Sequence, residues 1–357
     1  VCNTVLGVNA LDANTTGTHN TAVGRNALTD NTTGTQNTAV GSNALDANTT
    51  AGNQTAIGYN ALAEATTGSG SNTAVGSNAL AVNTTGTRNI AIGAYALDAN
   101  TVQNDNIAIG YEALTSAAAS GANNENIAIG SYALKNTNSS SSGDSIQNVA
   151  IGNQAMEENT SGYRNVAIGY RAMELNQTQN TQVAVGWYAL RESVSGGSNT
   201  ALGHYTLTRT TTGASNTAVG SATLQYNTTG SYNTGVGHRA LDQSTTSSNN
   251  TAVGYQALYL NTTGTRNTAV GANALDANTT ASNNVAVGYG GLGANTASGN
   301  SALGHQALQA NTTGAGNIGV GKNSLLVNTT GNYNVAVGQN ALDANTTASN
   351  NTAIGHE

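Results

Sequence analysis

The chain has 357 residues, of which only 8% are charged, and it contains 44 Gly, one Cys and no Pro or Phe. A single cysteine, Cys2, excludes a disulfide scaffold and a zinc site built on paired cysteines. The net charge of −7 argues against a nucleic-acid partner, and no apolar run reaches the roughly 18 residues of a membrane span.

The composition is periodic along the whole sequence. The phrase N-T-A-V-G recurs with its glycine at 21 positions from Gly7 to Gly355, and 16 of the 20 spacings are 17 residues. The unit reads N-T-A-V-G-x-x-A-L-x-x-N-T-T-G-x-x, and we number its positions 1 to 17. A single repeat domain over 1–357 is predicted, with repeats that begin at Asn3, Asn20, Asn37, Gln54, Asn72 and so on to Asn351.

Positions 1 to 5 of each unit are predicted to form a short strand, because Thr, Val and Ile dominate positions 2 and 4. Side chains alternate along a strand, so positions 2 and 4 share one face and positions 1, 3 and 5 share the other. We expect positions 2 and 4 to form the core together with the leucine at position 9. The Asn-Ala-Gly face carries no charge in any unit, and we expect backbone to cover it at close range.

The remainder of the unit is predicted to alternate turns with a second short strand. All 27 charged residues fall at positions 6, 7, 10, 11 and 17 or inside an insertion, so these five positions are predicted to face water. The four irregular spacings arise between the leucine at position 9 and the next asparagine, as in 115–125 and 135–147. The N-T-T-G segment is therefore predicted to lie at or beside an exposed turn.

Each unit is thus predicted to form one coil of an all-β, elongated parallel β-solenoid, or β-roll, of about 21 coils. Equivalent residues would stack about 4.8 Å apart and give a rod on the order of 100 Å long. The residues chosen to represent the ladders of stacked side chains and backbone are Asn20, Gly24, Leu28, Asn31, Asn250, Gly254, Leu258 and Asn261. Because one coil has a thin core, further apolar burial between chains is expected, in a homotrimeric fibre.

The sequence motifs do not predict catalysis, and neither a cofactor nor a metal is expected. Gly288 to Gly293 match G-x-G-x-x-G, but the helix that a dinucleotide site requires does not follow. Four of the five histidines occupy position 6, which they share with Arg25 and Lys322, and this favours a solvated face over a metal site. The N-T-T sequons, such as the one at Asn14, are interpreted as ladder and turn residues.

The segment Asn165-Val166-Ala167-Ile168-Gly169 resembles the N-S-V-A-I-G repeat of trimeric autotransporter adhesin heads. The longer unit from Asn250 to Gly264 is similar to repeats in phage tail-fibre-like proteins. The resemblance covers nearly all of the chain, although the period of the repeat exceeds that of the adhesin-head unit. It implies a left-handed parallel β-roll in a homotrimer, located outside the cell, on its surface or on a virion.

Two functions are expected from these observations. The first is a structural or adhesive fibre, either a tail-fibre shaft or an adhesin stalk or head, that presents a surface to a host glycan or protein receptor. Its candidate glycan contacts, which are also interpretable as ordinary turn residues, are Tyr59, Tyr111, Tyr170, Tyr188, Tyr255 and Tyr289. The alternative is a monomeric ice-binding or glycan-binding β-solenoid; the insertions in the Thr-rich segment weigh against ice binding because they would interrupt a flat face.

Overall fold

The structure, a computed structural model, describes residues 2–66, 70–115, 124–137 and 145–357. These residues form an all-β parallel β-solenoid in which each repeat unit makes one coil. Its contacts divide the chain into two compact parts, called the first unit (Val1–Thr181) and the second unit (Gln182–Glu357). The 17-residue repeat runs through both. Residues 116–123 and 138–144, which include most of the two long predicted insertions, lie outside the described residues.

Each coil contributes one three-residue strand, formed by positions 2 to 4. The second short strand predicted for the remainder of the repeat does not occur in the described residues, where turns and bends follow instead. The strands of the first unit are β1 (Thr4–Leu6), β2 (Thr21–Val23), β3 (Thr38–Val40), β4 (Thr55–Ile57), β5 (Thr73–Val75), β6 (Ile90–Ile92), β7 (Ile107–Ile109), β8 (Ile127–Ile129), β9 (Val149–Ile151) and β10 (Val166–Ile168). Successive strands pair in parallel with equivalent positions side by side, as Ala22 lies beside Ala39.

The second unit repeats this arrangement in eleven strands. They are β11 (Val183–Val185), β12 (Thr200–Leu202), β13 (Thr217–Val219), β14 (Thr234–Val236), β15 (Thr251–Val253), β16 (Thr268–Val270), β17 (Val285–Val287), β18 (Ser301–Leu303), β19 (Ile318–Val320), β20 (Val335–Val337) and β21 (Thr352–Ile354). The register again places equivalent positions together, as with Ala252 and Ala269.

Backbone hydrogen bonds join neighbouring coils at several places besides the strands. The N–H of Thr21 donates to the carbonyl of Asn37 at 2.8 Å, and the N–H of Leu28 donates to the carbonyl of Ala44 at 3.0 Å. Proline has no N–H to donate, and the chain contains none. The missing proline is therefore a consequence of bonding between coils around the whole turn of the solenoid.

Three residues of a typical coil adopt the left-handed backbone conformation, at positions 7, 9 and 17. In the second coil they are Asn26 with φ 56°, Leu28 with φ 54° and Gln36 with φ 61°. A side chain branched at Cβ is strongly disfavoured in this region. This explains why position 9 is Leu in 18 units and Met in the other two, and is never Val or Ile.

The glycine at position 5 is required by a close approach between backbones. Gly254 has φ 136°, a conformation that residues with a Cβ rarely adopt. A methyl group at Gly254 would also lie 2.6 Å from the carbonyl carbon of Gly271 in the next coil. The prediction that backbone covers this part of the strand at close range is confirmed.

The core lies on the face of the strands opposite to the one predicted. Position 3 points inward, and Ala22 and Ala252 have no exposed surface, whereas the residues on either side of them are half-buried. The interior of a coil holds the alanines at positions 3 and 8, the leucine at position 9 and the asparagines at positions 1 and 12. The prediction that positions 2 and 4 supply the core was therefore wrong.

The physical reason for this inversion is the narrow interior of the coil. Position 3 is glycine in β14, and a methyl group at Gly235 would lie 3.5 Å from Cδ1 of Leu224 but only 2.7 Å from Cγ2 of Thr223, the residue at position 8 of the preceding coil. At Gly319 in β19, a methyl group would lie 2.9 Å from Oγ of Ser324, at position 8 of the same coil, and 3.3 Å from Cγ of Leu308. Both glycines thus lie beside a Thr or Ser at position 8, where most coils have Ala, and this larger side chain leaves no room for a methyl group. Beside an alanine at position 8 the interior admits the methyl group of alanine at position 3, and a branched side chain there would overlap its neighbours.

Candidate interaction surface

The asparagine at position 1 connects each strand to the turn on the far side of its coil. Asn250 donates from Nδ2 to the carbonyl of Gly264 at 2.9 Å, and its Oδ1 accepts the N–H of Asn267 in the next coil at 2.9 Å. Asn20 makes the equivalent pair of hydrogen bonds. Both side chains are buried, so these predicted ladder residues belong to the framework and are inaccessible to a partner.

The asparagine at position 12 forms a second internal ladder. Asn31 donates from Nδ2 to Oδ1 of Asn14 in the preceding coil at 3.0 Å and to the carbonyl of Gly34 at 3.2 Å. Asn261 donates to the carbonyl of Gly264 at 3.0 Å, and neither Asn31 nor Asn261 has exposed surface. Position 12 is also the asparagine of the N-T-T sequons, and at these two sites it lies inside the coil.

The remaining predicted ladder residues also belong to the framework. Leu28 and Leu258 are fully buried at position 9, which faces the small residues of position 3 inside the coil. Gly24 and Gly254 have φ values of 134° and 136°, as position 5 requires. A surface that meets another molecule must therefore be built from the outward-facing positions.

One uncharged surface is the outer sheet face, defined as positions 2 and 4 of all strands within a unit. Position 4 is Val, Ile or Leu in every strand, and position 2 is Thr, Ser, Val or Ile. None of these residues is buried, and Leu303 and Ile57 are 52% and 41% exposed. A contiguous apolar patch of this kind marks an interaction site more often than scattered apolar residues do.

The outer sheet face of one unit has the area of a protein interface. A Val, Ile, Leu or Thr side chain offers about 100 Å² of surface, so the side chains of positions 2 and 4, each about one-third exposed, leave about 70 Å² of mixed aliphatic and Thr surface per coil in water. Ten coils then expose about 700 Å². A stable interface buries about 600–1,000 Å² on each partner, so the outer sheet face of either unit lies within that range.

A second surface feature is the aromatic edge, defined as the Tyr, Trp and His residues at positions 6 and 7. In the first unit Tyr111 packs edge-on against Tyr95 and Tyr132, with ring centroids 6.2 and 5.5 Å away. In the second unit Tyr188 stacks on Tyr205 at 5.5 Å. Such pairs of rings in neighbouring coils stabilise the edge by about 0.5–1.5 kcal/mol each beyond their burial.

Of the six predicted glycan contacts, five are exposed and Tyr188 is half-buried. Tyr255 and Tyr289 each stack on a histidine from a neighbouring coil, His238 at 5.7 Å and His305 at 5.4 Å. These position-6 histidines thus serve as ring partners. Within the described residues, no group of three or more His, Cys, Asp or Glu side chains is arranged to hold a metal ion.

Charged side chains line the same edge and interact across coils. Lys135 Nζ lies 2.7 Å from Glu112 Oε2, and this ion pair, together with the Tyr111 hydroxyl, lowers the pKa of Glu112. The hydrogen bond to Glu112 in turn raises the pKa of Tyr111 to about 12. In the second unit Asp242 is almost fully buried, and this burial raises its pKa although Arg239 lies 3.4 Å away.

In comparisons with known proteins, no family model matches this sequence and none of the curated proteins matches it significantly. The structure therefore establishes a parallel β-solenoid, built from one strand-bearing coil per repeat, without assigning it to a family. Among the residues that the structure describes, none belongs to a helix long and apolar enough to cross a membrane.

Proposed function

We propose that this chain is the shaft or adhesive head of an extracellular, cell-surface or virion fibre, and that copies of it pack through the outer sheet face, most simply as a homotrimer. The observation that carries the proposal is the uncharged, half-exposed row of aliphatic residues in both units. The proposal includes no catalytic activity.

Charge placement supports this assignment of the interface. Positions 6, 7, 10, 11 and 17 are as accessible as positions 2 and 4, yet all 27 charged residues lie at those five positions or in an insertion. Position 14 is also exposed and uncharged, but it is mostly Thr, whereas position 4 of the outer sheet face is Val, Ile or Leu in every strand. Solubility gives no reason to combine exclusion of charge with aliphatic side chains on an exposed face. Exclusion of charge is what a surface buried against another copy requires, because an unpaired charge in an interface is costly.

The resemblance of the N-[TVI]-A-[VI]-G phrase to adhesin-head and tail-fibre repeats supports the same proposal from the sequence side. A repeat with the same strand phrase in those fibres suggests a related way of packing three chains. The longer period of this chain leaves the turns between strands different from those of the adhesin heads.

The proposal is tested by the mass of the purified chain in solution. Light scattering coupled to gel filtration is expected to give three times 35.6 kDa. The variant Val270→Lys places a charge on the outer sheet face, where Val270 is 37% exposed, and is expected to release monomers. The matched control Leu260→Lys changes a residue that is 40% exposed but lies at position 11, and it should leave the mass unchanged.

A wild-type chain that is monomeric at tens of micromolar would overturn the proposal. The proposal would also be overturned if Val270→Lys and Leu260→Lys had the same mass in solution. In either case circular dichroism must first show that the variant retains the β-solenoid spectrum of the wild type.

One observation favours a second function, a monomeric ice-binding solenoid. Position 2 is Thr in more than half of the strands, and these threonines point outward in a row beside the aliphatic row of position 4. The row is interrupted by Ile or Val at position 2 of β6 to β10 in the first unit. Thermal hysteresis of the purified chain decides this alternative, since a chain without hysteresis does not bind ice.

A further inference from the structure

One coil of the second unit departs from the repeat in three adjacent places. Gly290, Gly291 and Gly293 stand at positions 7, 8 and 10, where other coils carry side chains. A cavity of about 480 Å³ opens at this coil, and we call it the glycine notch. It is lined by Asn273, Asp276, Ala277, Tyr289, Gly290, Gly293, Ala294, Gln309 and Ala310.

The missing side chains clear the space between the hydrogen-bonding groups of the notch. A cavity at the same two positions in the first unit, lined by Asp98 and Tyr111, forms without glycines and has Glu112 and Thr115 where the notch has Gly290 and Gly293. A methyl group on Gly293 would lie 3.5 Å from Oδ1 of Asp276, and one on Gly290 would lie 3.6 Å from Nε2 of Gln309. Any longer side chain at these two positions would extend into the space between the carboxylate and the amide. The notch therefore presents a carboxylate and an amide, from the coils before and after, to whatever enters it.

The wall of the notch combines an aromatic ring with hydrogen-bonding groups. Tyr289 is 51% exposed, and one side of its ring stacks on His305. The preceding coil has only Ala272 at the same position, so the other side of the Tyr289 ring is free of a stacked aromatic partner. Asp276 is partly buried, which raises its pKa, and Asn273 lies in the same coil as Asp276.

We propose that the glycine notch binds one neutral pyranose residue of a glycan, with the sugar ring against Tyr289 and its hydroxyl groups hydrogen-bonded to Asp276, Asn273 and Gln309. A pyranose has an apolar face that suits an aromatic ring. Its hydroxyls both donate and accept, which matches a carboxylate acceptor beside two amides. The volume lies within the range of small-molecule sites.

The charge of the notch selects among sugars. Its lining includes the Asp276 carboxylate and no Lys or Arg. A sialic acid, a uronic acid or a sugar phosphate would place its own negative charge near this carboxylate without a compensating cation. Neutral hexoses and N-acetylhexosamines are therefore the ligand class. This sugar site rests on the proposed function, because it names the class of receptor that the fibre would bind.

The chain offers an internal control for the notch. The same pair of positions is occupied by Asp46 and Tyr59 in the first unit, and Tyr59 is 53% exposed. There the coil of Tyr59 carries Asn60 and Ala63 at positions 7 and 10, in place of the two glycines. An aromatic ring and a carboxylate are thus present at both places, but only the second unit combines them with glycines at both positions.

The experiment is ligand-observed saturation-transfer NMR on the full-length chain. The probes are the methyl glycosides of glucose, galactose, mannose and N-acetylglucosamine, each at millimolar concentration, with sialic acid as the charged comparison. We expect transfer to at least one neutral glycoside and none to sialic acid. In Tyr289→Ala, and in the double variant Gly290→Asn with Gly293→Gln, the affinity should fall at least tenfold, whereas Tyr59→Ala should bind as the wild type does.

The double variant uses residues that the repeat itself carries at these positions, Asn at 7 and Gln at 10, so it is expected to fold. If circular dichroism shows that it does not, Tyr289→Ala and Asp276→Asn decide the question. Absence of transfer to all four neutral glycosides overturns the proposal, as does undiminished binding in the filled notch or an equal loss in Tyr59→Ala. A monomeric chain that binds the sugar would overturn the proposed fibre but not the sugar site. An oligomer that binds no sugar would overturn the sugar site but not the proposed fibre.

Discussion

Replacing the position-5 glycine with alanine should disrupt the stack, and Gly288 offers the sharpest test. Gly288 has φ 130°, and a methyl group there would lie 2.6 Å from the carbonyl carbon of Gly304. The backbone conformation costs a residue with a Cβ about 1–3 kcal/mol, and relief of the overlap costs about 1–3 kcal/mol more. Gly288→Ala is therefore expected to destabilise the second unit by about 2–6 kcal/mol.

The matched control lies three residues away. Gly291 is at position 8, which is Ala in 16 of 20 units, and its φ lies outside the left-handed region. A methyl group there would make only ordinary contacts, the nearest being 3.7 Å from Cβ of Ala286. Gly291→Ala should therefore stabilise the fold by about 0.4–1 kcal/mol, through loss of freedom in the unfolded chain.

Thermal unfolding followed by circular dichroism compares the two variants with the wild type. At about 2–4 °C per kcal/mol for a unit of this size, Gly288→Ala should lower the melting midpoint by roughly 4–24 °C and Gly291→Ala should raise it by roughly 1–4 °C. Repeat arrays can melt in parts, so the first transition is the one to compare. A Gly288→Ala midpoint close to that of the wild type, or a Gly291→Ala variant that melts lower, would refute the close-approach argument.

Three further predictions concern the interior of the second unit. Leu258→Val should lower the stability of the second unit by about 2–4 kcal/mol, because φ is 53° at this residue and a side chain branched at Cβ is disfavoured there. Leu258→Met should lower it by less than about 1.5 kcal/mol in the same melting assay. Equal losses of stability in the two variants would contradict this prediction. Asn250→Ala leaves the buried N–H of Asn267 without its acceptor and should cost about 1–3 kcal/mol by denaturant unfolding, so an unchanged midpoint would exclude that role. Burial raises the pKa of Asp242, so the stability that its protonated form contributes is lost as the pH rises through that raised pKa. Asp242→Asn should therefore have a higher melting midpoint than the wild type near pH 7, and the two midpoints should converge towards pH 4. A difference between the midpoints that stays constant with pH would argue against the burial effect.

The period, the position of the strand and the parallel stacking were readable from the sequence, because each residue choice recurs in every copy of the repeat. The prediction that positions 6, 7, 10, 11 and 17 face water holds for most charged residues but not for Glu174 and Asp242 at position 10, which are buried. The inward face was not readable from the sequence, because strand alternation alone leaves two faces to choose between. The deciding signal was present at position 3, which is Ala or Gly in every repeat except the first repeat, where it is Val5. Such a restriction indicates a wall that admits a single methyl group, whereas position 4 freely exchanges Val, Ile and Leu.

The left-handed leucines and the glycine notch illustrate two other limits of sequence reasoning. Position 9 is never Val or Ile, although position 4 is usually one of these two residues. This contrast indicates the left-handed backbone conformation of position 9, which the periodicity of apolar residues does not predict. The notch depends on what Gly290 and Gly293 lack, and its depth is set by Asp276 and Gln309 from other coils. A motif search finds those glycines but assigns them to a dinucleotide loop, because it has no information about the neighbouring coils.

Within each unit the hydrogen-bonded ladders connect residues that are 16 to 22 positions apart in the chain, and usually 17. A coil therefore bonds only to the coils immediately before and after it, so its hydrogen bonds are complete once the next coil has left the ribosome. It also follows that a stretch of DNA encoding one repeat can be gained or lost by unequal recombination without disturbing any other coil. The number of coils is then a quantity that selection can adjust in single steps, independently of the chemistry presented along the sides.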